Sequence, residues 1–179
     1  MRTALLSLLA PFVRLMPETR LFGLKRAIYR ICGADIAQGV RICSSVTILG
    51  AGKLVIGRDT WVGHQAMIIC GGTVEIGSDV DIAPRVFIGT GTHHPGTSEK
   101  AAGDGVNYPV TIEDGCWIGA GSLILPGTTL ARATTVGAGS VVTRDTTVPG
   151  TTIIGVPARE FSKRGAIKAT PSSQGAGTH

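Results

Sequence analysis

An aliphatic residue recurs at every sixth position through most of this chain, beginning at Ile36. Two slips of two residues and one long gap interrupt the spacing, and each of the seventeen positions is Ile, Leu or Val. The series runs Ile36, Ile42, Ile48, Ile56, Val62, Ile68, Ile76, Ile82, Ile88, Ile112, Ile118, Ile124, Leu130, Val136, Val142, Val148 and Ile154. Neither a heptad nor the 3.6-residue period of a helix produces this spacing, so each hexad is predicted to be one short strand and a turn.

The repeat predicts a triangular prism. Three hexads would complete one coil of about 18 residues, and successive coils would pair in parallel about 4.8 Å apart, with the aliphatic residues stacked inside. The composition agrees with this prediction. Gly accounts for 26 of 179 residues and aromatic residues for 4%, as expected of tight turns around thin aliphatic layers. The sequence has no collagen-like period and no stretch of about 18 uncharged apolar residues.

The net charge of +5 is unevenly distributed. Residues 1–30 hold six basic residues and one acidic residue, residues 159–179 hold four and one, and residues 31–158 hold seven and ten. Basic ends favour an anionic small molecule or an anionic membrane surface as a partner and argue against nucleic acid. The four cysteines form no CxxC pair or Cys/His cluster, so they are predicted to be reduced packing residues in a cytoplasmic protein.

These patterns divide the chain into an N-terminal helical cap (1–31), a repeat domain (32–160) and a flexible basic and polar tail (161–179). In the first part, one helical face collects Leu5, Leu8, Leu9, Phe12, Val13 and Met16, and a second apolar stripe, Leu21, Leu24 and Ile28, lies beside Lys25, Arg26 and Arg30. Two interpretations are open. The favoured one is that the helices cover the open end of the coil stack; the other is that the basic amphipathic segment 1–30 contacts the inner face of a membrane.

The repeat is interrupted once, by GTHHPGTSEKAAGDGVNYP at residues 91–109. A long excursion from a regular solenoid is usually functional, and this one holds two of the four histidines, His93 and His94. An imidazole can accept a proton near neutral pH, which makes either histidine a candidate general base.

The pattern over residues 36–159 resembles the hexapeptide-repeat acetyltransferases, whose fold is a left-handed parallel β-helix. The resemblance rests on the hexads, the interrupting loop and the segments PVTIEDGCWIGAGSLILPGTTL, VGAGSVVTRD and GVPAR, whose order closely matches the galactoside, maltose, nodulation-type and polysaccharide O-acetyltransferases. It implies an all-β fold class: a left-handed parallel β-helix with a short helical N-terminal cap and an extended loop at 91–109. The family loop begins with T-x-[TN]-H, which falls on residues 90–93.

The resemblance implies acetyl transfer from acetyl-CoA, with His93 as the general base and His94 as the alternative. The chain has no G-x-S-x-G motif and no cysteine in the loop, so direct transfer is predicted rather than an acyl-enzyme. An oxyanion intermediate needs a hydrogen-bond donor, and the resemblance assigns this role to the Ala120 amide.

The same resemblance places acetyl-CoA in the groove between neighbouring coils. The cofactor-binding residues that it implies are Trp117, Gly119, Ala120, Gly137, Ala138, Thr143, Arg144 and Arg159. Many relatives have Lys at the position of Arg144, which keeps the charge. Gly137 and Gly139 are equally well explained by turn geometry, and Arg159 by a solvated position at the end of the repeat. The acceptor-binding candidates are His64, Asp81 and His94, although His64 also fits an ordinary surface turn.

The predicted function is therefore acetyl-CoA-dependent O-acetyltransfer to a hydroxyl of a sugar or polysaccharide precursor, without a required metal. The family resemblance implies a homotrimer, in which His93 meets the coenzyme groove of another chain. The alternatives are N-acetylation of a xenobiotic or amino sugar, a non-catalytic scaffold, and a zinc enzyme like the γ-class carbonic anhydrases. The zinc alternative would have to use His64, His93 and His94.

Overall fold

The computed structural model describes residues 1–161, and these form two helices followed by a stack of short strands. The helices are α1 (Thr3–Arg14) and α2 (Phe22–Ile31). The strands are β1 (Asp35–Ile36), β2 (Arg41–Ile42), β3 (Thr47–Leu49), β4 (Lys53–Ile56), β5 (Trp61–Val62), β6 (Met67–Ile69), β7 (Thr73–Ile76), β8 (Asp81–Ile82), β9 (Phe87–Gly89), β10 (Gly91–Pro95), β11 (Ala102–Asn107), β12 (Val110–Ile112), β13 (Trp117–Ile118), β14 (Leu123–Ile124), β15 (Thr129–Leu130), β16 (Thr135–Val136), β17 (Val141–Val142), β18 (Thr152–Ile154) and β19 (Arg159–Glu160). Of the predicted tail over 161–179, only Phe161 belongs to the described residues.

Every third strand of the repeat pairs in parallel with its counterpart in the next coil. Three sheets result: sheet A (β1, β4, β7, β12, β15), sheet B (β2, β5, β8, β13, β16, β18, with β19 antiparallel at its end) and sheet C (β3, β6, β9, β14, β17). The prediction of a parallel β-helix is confirmed. Each two-residue slip in the sequence lengthens one coil from 18 to 20 residues. Ile36 therefore pairs with Ile56, 20 residues later, whereas Ile112 pairs with Leu130, 18 residues later.

The first fifteen aliphatic residues of the repeat lie inside the prism, each at most 4% exposed. The last two positions were predicted wrongly, since Val148 is 57% and Ile154 is 42% exposed. Ile153 is buried instead and pairs with Val136. The reason is that residues 143–151 contain no strand, and the chain returns to sheet B one residue earlier than a strict count of six requires.

Helix α2 lies against the first coil and replaces a coil that would otherwise precede it. Elsewhere in the stack, a backbone N–H of one coil donates to a carbonyl of the next coil. In the first coil these bonds run from Ala37 to Ile56, from Arg41 to Thr60 and from Cys43 to Val62. The equivalent carbonyls of the first coil receive no backbone hydrogen bond, because no coil precedes them within the described stack. They accept from basic side chains instead: Ile36 from Arg30 Nε (2.6 Å), Val40 from Arg26 Nη1 (2.8 Å) and Ile42 from Lys25 Nζ (3.3 Å).

These contacts support the cap interpretation of the N-terminal segment. The three basic residues that suggested a membrane surface point their charged ends at the coil edge rather than outward. The predicted helical faces were partly wrong, because Leu6 and Val13 are the buried residues of α1, while Leu8 and Phe12 are more than half exposed. Within residues 1–161, neither helix is long and apolar enough to cross a membrane.

Lys25 provides a direct test of the cap. Its ammonium group is buried and also donates to the carbonyls of Pro17 (3.0 Å) and Glu18 (2.7 Å), and burial lowers the pKa of this amine. Lys25→Met leaves these carbonyls without a donor, so the free energy of unfolding in urea is expected to fall by about 2–4 kcal/mol. Lys53→Met is the matched control, since Lys53 forms only an exposed ion pair with Glu75 and its loss is expected to cost less than about 1 kcal/mol. Equal effects of the two substitutions would contradict the proposed role of Lys25.

Candidate active site

The loop at 91–109 is an ordered antiparallel hairpin of β10 and β11, which leaves the prism at the edge between sheets C and A. Gly91 pairs with Asn107, and His93 pairs with Gly105. The tip is closed by the N–H of Gly96, which donates to the carbonyl of Ala101 at 2.9 Å. The predicted excursion is therefore a defined arm that carries both histidines.

Buried Thr90 joins the base of this hairpin to the coil below. Its Oγ1 accepts from the N–H of Gly72 at 2.9 Å and lies 3.1 Å from Asn107 Oδ1 and 3.3 Å from the carbonyl of Ile69. Its own carbonyl accepts from the N–H of Tyr108 at 2.8 Å. In the sequence Thr90 is only the first residue of the T-x-[TN]-H pattern; in the structure this threonine positions the arm.

His93 is oriented by its hairpin, whereas His94 is not. His93 Nδ1 lies 2.9 Å from the carbonyl oxygen of Gly103. A carbonyl can only accept, so Nδ1 carries the proton and neutral His93 keeps the lone pair of Nε2 free. His94 is the next residue of β10, where the pairing of the hairpin is irregular between His93 and Pro95, and no side-chain hydrogen bond is found for it within residues 1–161. This geometry favours His93 as the base.

Trp117 and Ala120 lie on a different part of the prism. Trp117 projects from sheet B and is 56% exposed, and Ala120 follows at the edge between sheets B and C. The turn is closed by the N–H of Ser122, which donates to Gly119 at 3.3 Å, and Gly121 has the positive φ (70°) that this turn needs. The neighbouring amides of Gly119 and Gly121 donate to adjacent coils, while the Ala120 amide meets no acceptor in the described part of the chain. It is free to bind an oxyanion.

The glycines of the predicted coenzyme groove have a packing role. A Cβ at Gly119 would lie 2.6 Å from the nitrogen of Ala138, and one at Gly137 would lie 2.5 Å from Cγ2 of Ile154. Gly119 is required for close stacking, because the atoms it would meet belong to the backbone of the next coil. At Gly137 a larger residue would have to displace the side chain of Ile154. Both glycines therefore have a packing role, whether or not they also touch coenzyme. Ala138 occupies the turn directly above Ala120, since the N–H of Gly139 donates to the carbonyl of Ala120.

The two predicted coenzyme-binding arginines share one cavity at the C-terminal end of the stack. Arg144 and Arg159 line a space of about 290 Å³ together with Val142, Asp145, Thr146, Ile153, Ala158 and Glu160. Thr143 is an exposed neighbour of this cavity. Two guanidinium groups at one opening could hold phosphate oxygens, and the two carboxylates in the lining limit how many anionic groups fit there.

His64 lies at the edge between sheets B and C, near the N-terminal helices. Its ring nitrogens, Cys43 Sγ and the Glu18 carboxylate lie within 4.8 Å of one another. Burial raises the pKa of Glu18, but hydrogen bonds from Ser45 and the charge of His64 outweigh it and lower that pKa. The Lys25 ammonium also faces Glu18 and Cys43, and its positive charge would repel a bound cation.

Asp81, another predicted acceptor-binding residue, is exposed in sheet B, between Trp61 and Trp117.

The cysteines offer no nucleophile. Cys32, Cys43, Cys70 and Cys116 are all free and buried, and burial raises the pKa of each thiol. At neutral pH they stay protonated inside the prism, which agrees with the predicted direct transfer.

One chain does not assemble the whole predicted site. His93 stands on the edge between sheets C and A, and Trp117 belongs to sheet B, which is the face opposite that edge in a triangular prism. His64 is likewise on a different edge from His93 and His94. A three-histidine zinc site of the carbonic anhydrase kind is therefore not formed within the described chain.

The fold is a solenoid of six-residue repeats interrupted by the histidine hairpin, and comparison with known proteins finds similar chains. The family model for the bacterial transferase hexapeptide (six repeats) matches residues 109–144. This match covers about a fifth of the chain, in the coils that follow the hairpin. The chain is 30% identical over 108 residues to "Putative colanic acid biosynthesis acetyltransferase WcaF" of Escherichia coli K12, which is 60% of this chain and 57% of that protein. The chain thus spans less than two thirds of that curated relative.

Solved structures agree with the fold. A hexapeptide-repeat-containing acetyltransferase from Vibrio cholerae O1 biovar eltor, crystallised with acetyl coenzyme A, superposes with a TM-score of 0.64 at 27% identity, covering 89% of this chain and 86% of that one. A galactoside acetyltransferase in complex with coenzyme A superposes with a TM-score of 0.71 at 23% identity, covering 90% of this chain and 80% of that one.

Proposed function

We propose that the protein is an acetyl-CoA-dependent O-acetyltransferase that acts on a sugar hydroxyl. The observation that supports this most strongly is the hydrogen bond between His93 Nδ1 and Gly103, which leaves Nε2 as a proton acceptor on the hairpin. Related proteins are named as acetyltransferases, and two solved relatives hold acetyl-CoA or coenzyme A. One of these names, galactoside acetyltransferase, also points to a saccharide acceptor.

The transfer would run as one addition and one elimination. His93 Nε2 takes the proton of the acceptor hydroxyl as its oxygen attacks the thioester carbon. The tetrahedral oxyanion accepts a hydrogen bond from the Ala120 amide. When the intermediate collapses, the C–S bond breaks, and the thiolate of coenzyme A takes the proton from the His93 imidazolium. The acetylated hydroxyl and the free thiol leave, and His93 is again neutral.

The coenzyme would lie along the edge between sheets B and C. Trp117 would contact its acetyl end, Ala138 would line the middle, and Arg144 and Arg159 would hold its phosphates at the cavity they share. Asp81, one coil below Trp117, would face the acceptor.

A second copy of the chain must complete this site, because His93 and Trp117 stand on opposite sides of the prism. We infer a homotrimer, in which the hairpin of one subunit reaches the sheet B face of the next. The outward column of sheet C supports such contacts, since it is mostly apolar: Met67, Phe87, Leu123 and Val141.

A thermal-shift titration with acetyl-CoA, coenzyme A and a nucleotide-sugar control tests the proposed function first. Both coenzyme species are expected to raise Tm in proportion to log concentration, and the control is not. Thiol release in the presence of sugar acceptors then measures transfer. An unchanged Tm with both coenzyme species would overturn the acetyltransferase proposal while leaving the fold untouched.

Peripheral membrane contact and a cytoplasmic location remain predictions. Leu8, Phe12 and Leu15 form an exposed apolar stripe at helical spacing on α1 and its C-cap, which supports contact with a bilayer. The use of Lys25, Arg26 and Arg30 in the cap removes much of the basic charge that such contact would draw on. Co-sedimentation with anionic lipid vesicles would decide, and no binding would refute the contact.

A further inference from the structure

Both tryptophans of the chain project outward from sheet B, one on each side of a carboxylate. Trp61 pairs in register with Asp81, and Asp81 pairs in register with Trp117. Residues in register on one sheet share a face, so the three side chains form one outward column with Asp81 in the middle. The protein has only two tryptophans, and the fold brings both to this site.

The other two faces of the prism have a different character. The outward column of sheet C is apolar from Met67 to Val141 and holds no charged residue. The outward column of sheet A holds no aromatic residue: Asp35, Val55, Glu75, Thr111 and Thr129. Large aromatic surface and a carboxylate therefore occur together only on sheet B among the described coils.

The groups of this column are available and partly held in place. Trp117 is 56% exposed, and Asp81 is exposed with no hydrogen bond or ion pair to its carboxylate within residues 1–161. The half-buried Trp61 indole is held by the edge of Phe22, with ring centroids 6.0 Å apart, and by Arg41, whose Cζ lies 5.2 Å from the ring centroid. Arg41 comes from the coil below and Asp81 from the coil above.

We propose that Trp61, Asp81 and Trp117 form a pyranose subsite for the acceptor. The two tryptophan strands lie two coil spacings apart, about 9–10 Å, which leaves room for one sugar ring between the indoles. The C–H groups of a pyranose face are slightly positive and pack against the negative face of an aromatic ring. Adjacent ring hydroxyls donate to the Asp81 carboxylate in charge-assisted hydrogen bonds. The column thus recognises a cyclic polyol by its ring face and by its hydroxyls together.

This subsite rests on the proposed function for its place in the reaction. Trp117 is the residue assigned to the acetyl end of the coenzyme, and Asp81 lies one coil spacing below it, about 5 Å along the stack. A sugar held over Asp81 therefore presents a hydroxyl beside the thioester. Asp81 and Trp117 were predicted separately as acceptor and coenzyme residues; with Trp61 they become one binding surface.

Intrinsic fluorescence tests the subsite without coenzyme or turnover, since both tryptophans belong to it. The full-length protein is titrated with methyl glucoside, methyl galactoside and methyl glucuronide, and with glucitol as an acyclic polyol control. We expect a saturable change with at least one pyranoside, with Kd of about 1 mM, and none with glucitol. The single-tryptophan variants Trp61→Phe and Trp117→Phe should each still report binding, because a ring between the two indoles is close to both.

Asp81→Asn should weaken pyranoside binding by about tenfold or more, because it removes the charged acceptor. The matched control is Glu75→Gln, which makes the same change in the same coil on sheet A and should leave Kd unchanged. No saturable signal with any of the pyranosides, or equal Kd for Asp81→Asn and wild type, would overturn the subsite. If Asp81→Asn does not affect acetyl transfer, the subsite is overturned and the proposed function stands. If pyranoside binding depends on Asp81 but coenzyme causes no shift in Tm, the proposed function is overturned and the subsite stands.

Discussion

His93→Ala lowers kcat for acetyl transfer by about 10²–10⁴ and leaves the affinity for coenzyme A unchanged. The loss has a local cause, because the acceptor hydroxyl must give up its proton as it attacks, and Nε2 of His93 is the base that Gly103 orients. Coenzyme binding is unaffected because the groove belongs to other elements. Steady-state thiol release and a coenzyme A thermal-shift titration measure the two effects on one preparation.

His94→Ala is the control for this substitution. It removes an imidazole from the adjacent position of the same strand, where no hydrogen bond within residues 1–161 orients the ring, so kcat should stay within a few fold of wild type. A large loss of kcat for His94→Ala with normal turnover for His93→Ala would reverse the assignment. Near wild-type turnover for both variants would remove the histidine base from the mechanism.

Two inactive variants are expected to restore activity when they are combined in one oligomer. One chain carries His93→Ala, and the other carries Trp117→Ala with Arg159→Ala. If each site takes its base from one subunit and its groove from the next, every trimer that contains both chains has one of its three sites with both parts intact. Activity of about a third of wild type should therefore appear after co-expression with two different affinity tags and sequential purification, which removes the trimers of a single chain.

The control for complementation places all the substitutions on one chain. A chain with His93→Ala, Trp117→Ala and Arg159→Ala, mixed with the His93→Ala chain, has no intact base and should stay inactive. Recovery in the first mixture and not in the second locates the site between subunits. A purified mixed oligomer without activity in the first case would contradict a shared site.

Much of the fold was predictable because burial acts on each hexad separately. A residue inside a narrow prism must be aliphatic, so the spacing of Ile, Leu and Val revealed the coils and even the two-residue slips between Ile48 and Ile56 and between Ile68 and Ile76. The count failed at Val148, where no strand follows β17 directly and Ile153 takes the inner position. The six-residue spacing cannot predict which residues are buried where the backbone leaves the repeat.

The choice between His93 and His94 needed the structure. The two residues are adjacent and carry the same side chain, so residue type and spacing do not distinguish them. The hydrogen-bond partner of His93, Gly103, comes from the other strand of the hairpin, so pairing across the loop decides which imidazole is oriented. The basic residues of α2 are a similar case, because Lys25, Arg26 and Arg30 suit a membrane surface and a coil edge equally well until the first coil is in place.

The parallel coils, their three sides and the arm that interrupts them were predictable from the sequence, because each depends on which residue types recur at a fixed spacing. Which side chains meet became clear only from the fold. It put Trp61, Asp81 and Trp117 in one column although they are 20 and 36 residues apart, since parallel register brings equivalent positions of successive coils together. It also put His93 on the edge opposite Trp117, because a closed three-sided coil separates its corners, and that separation is the physical reason for proposing that a second subunit completes the site.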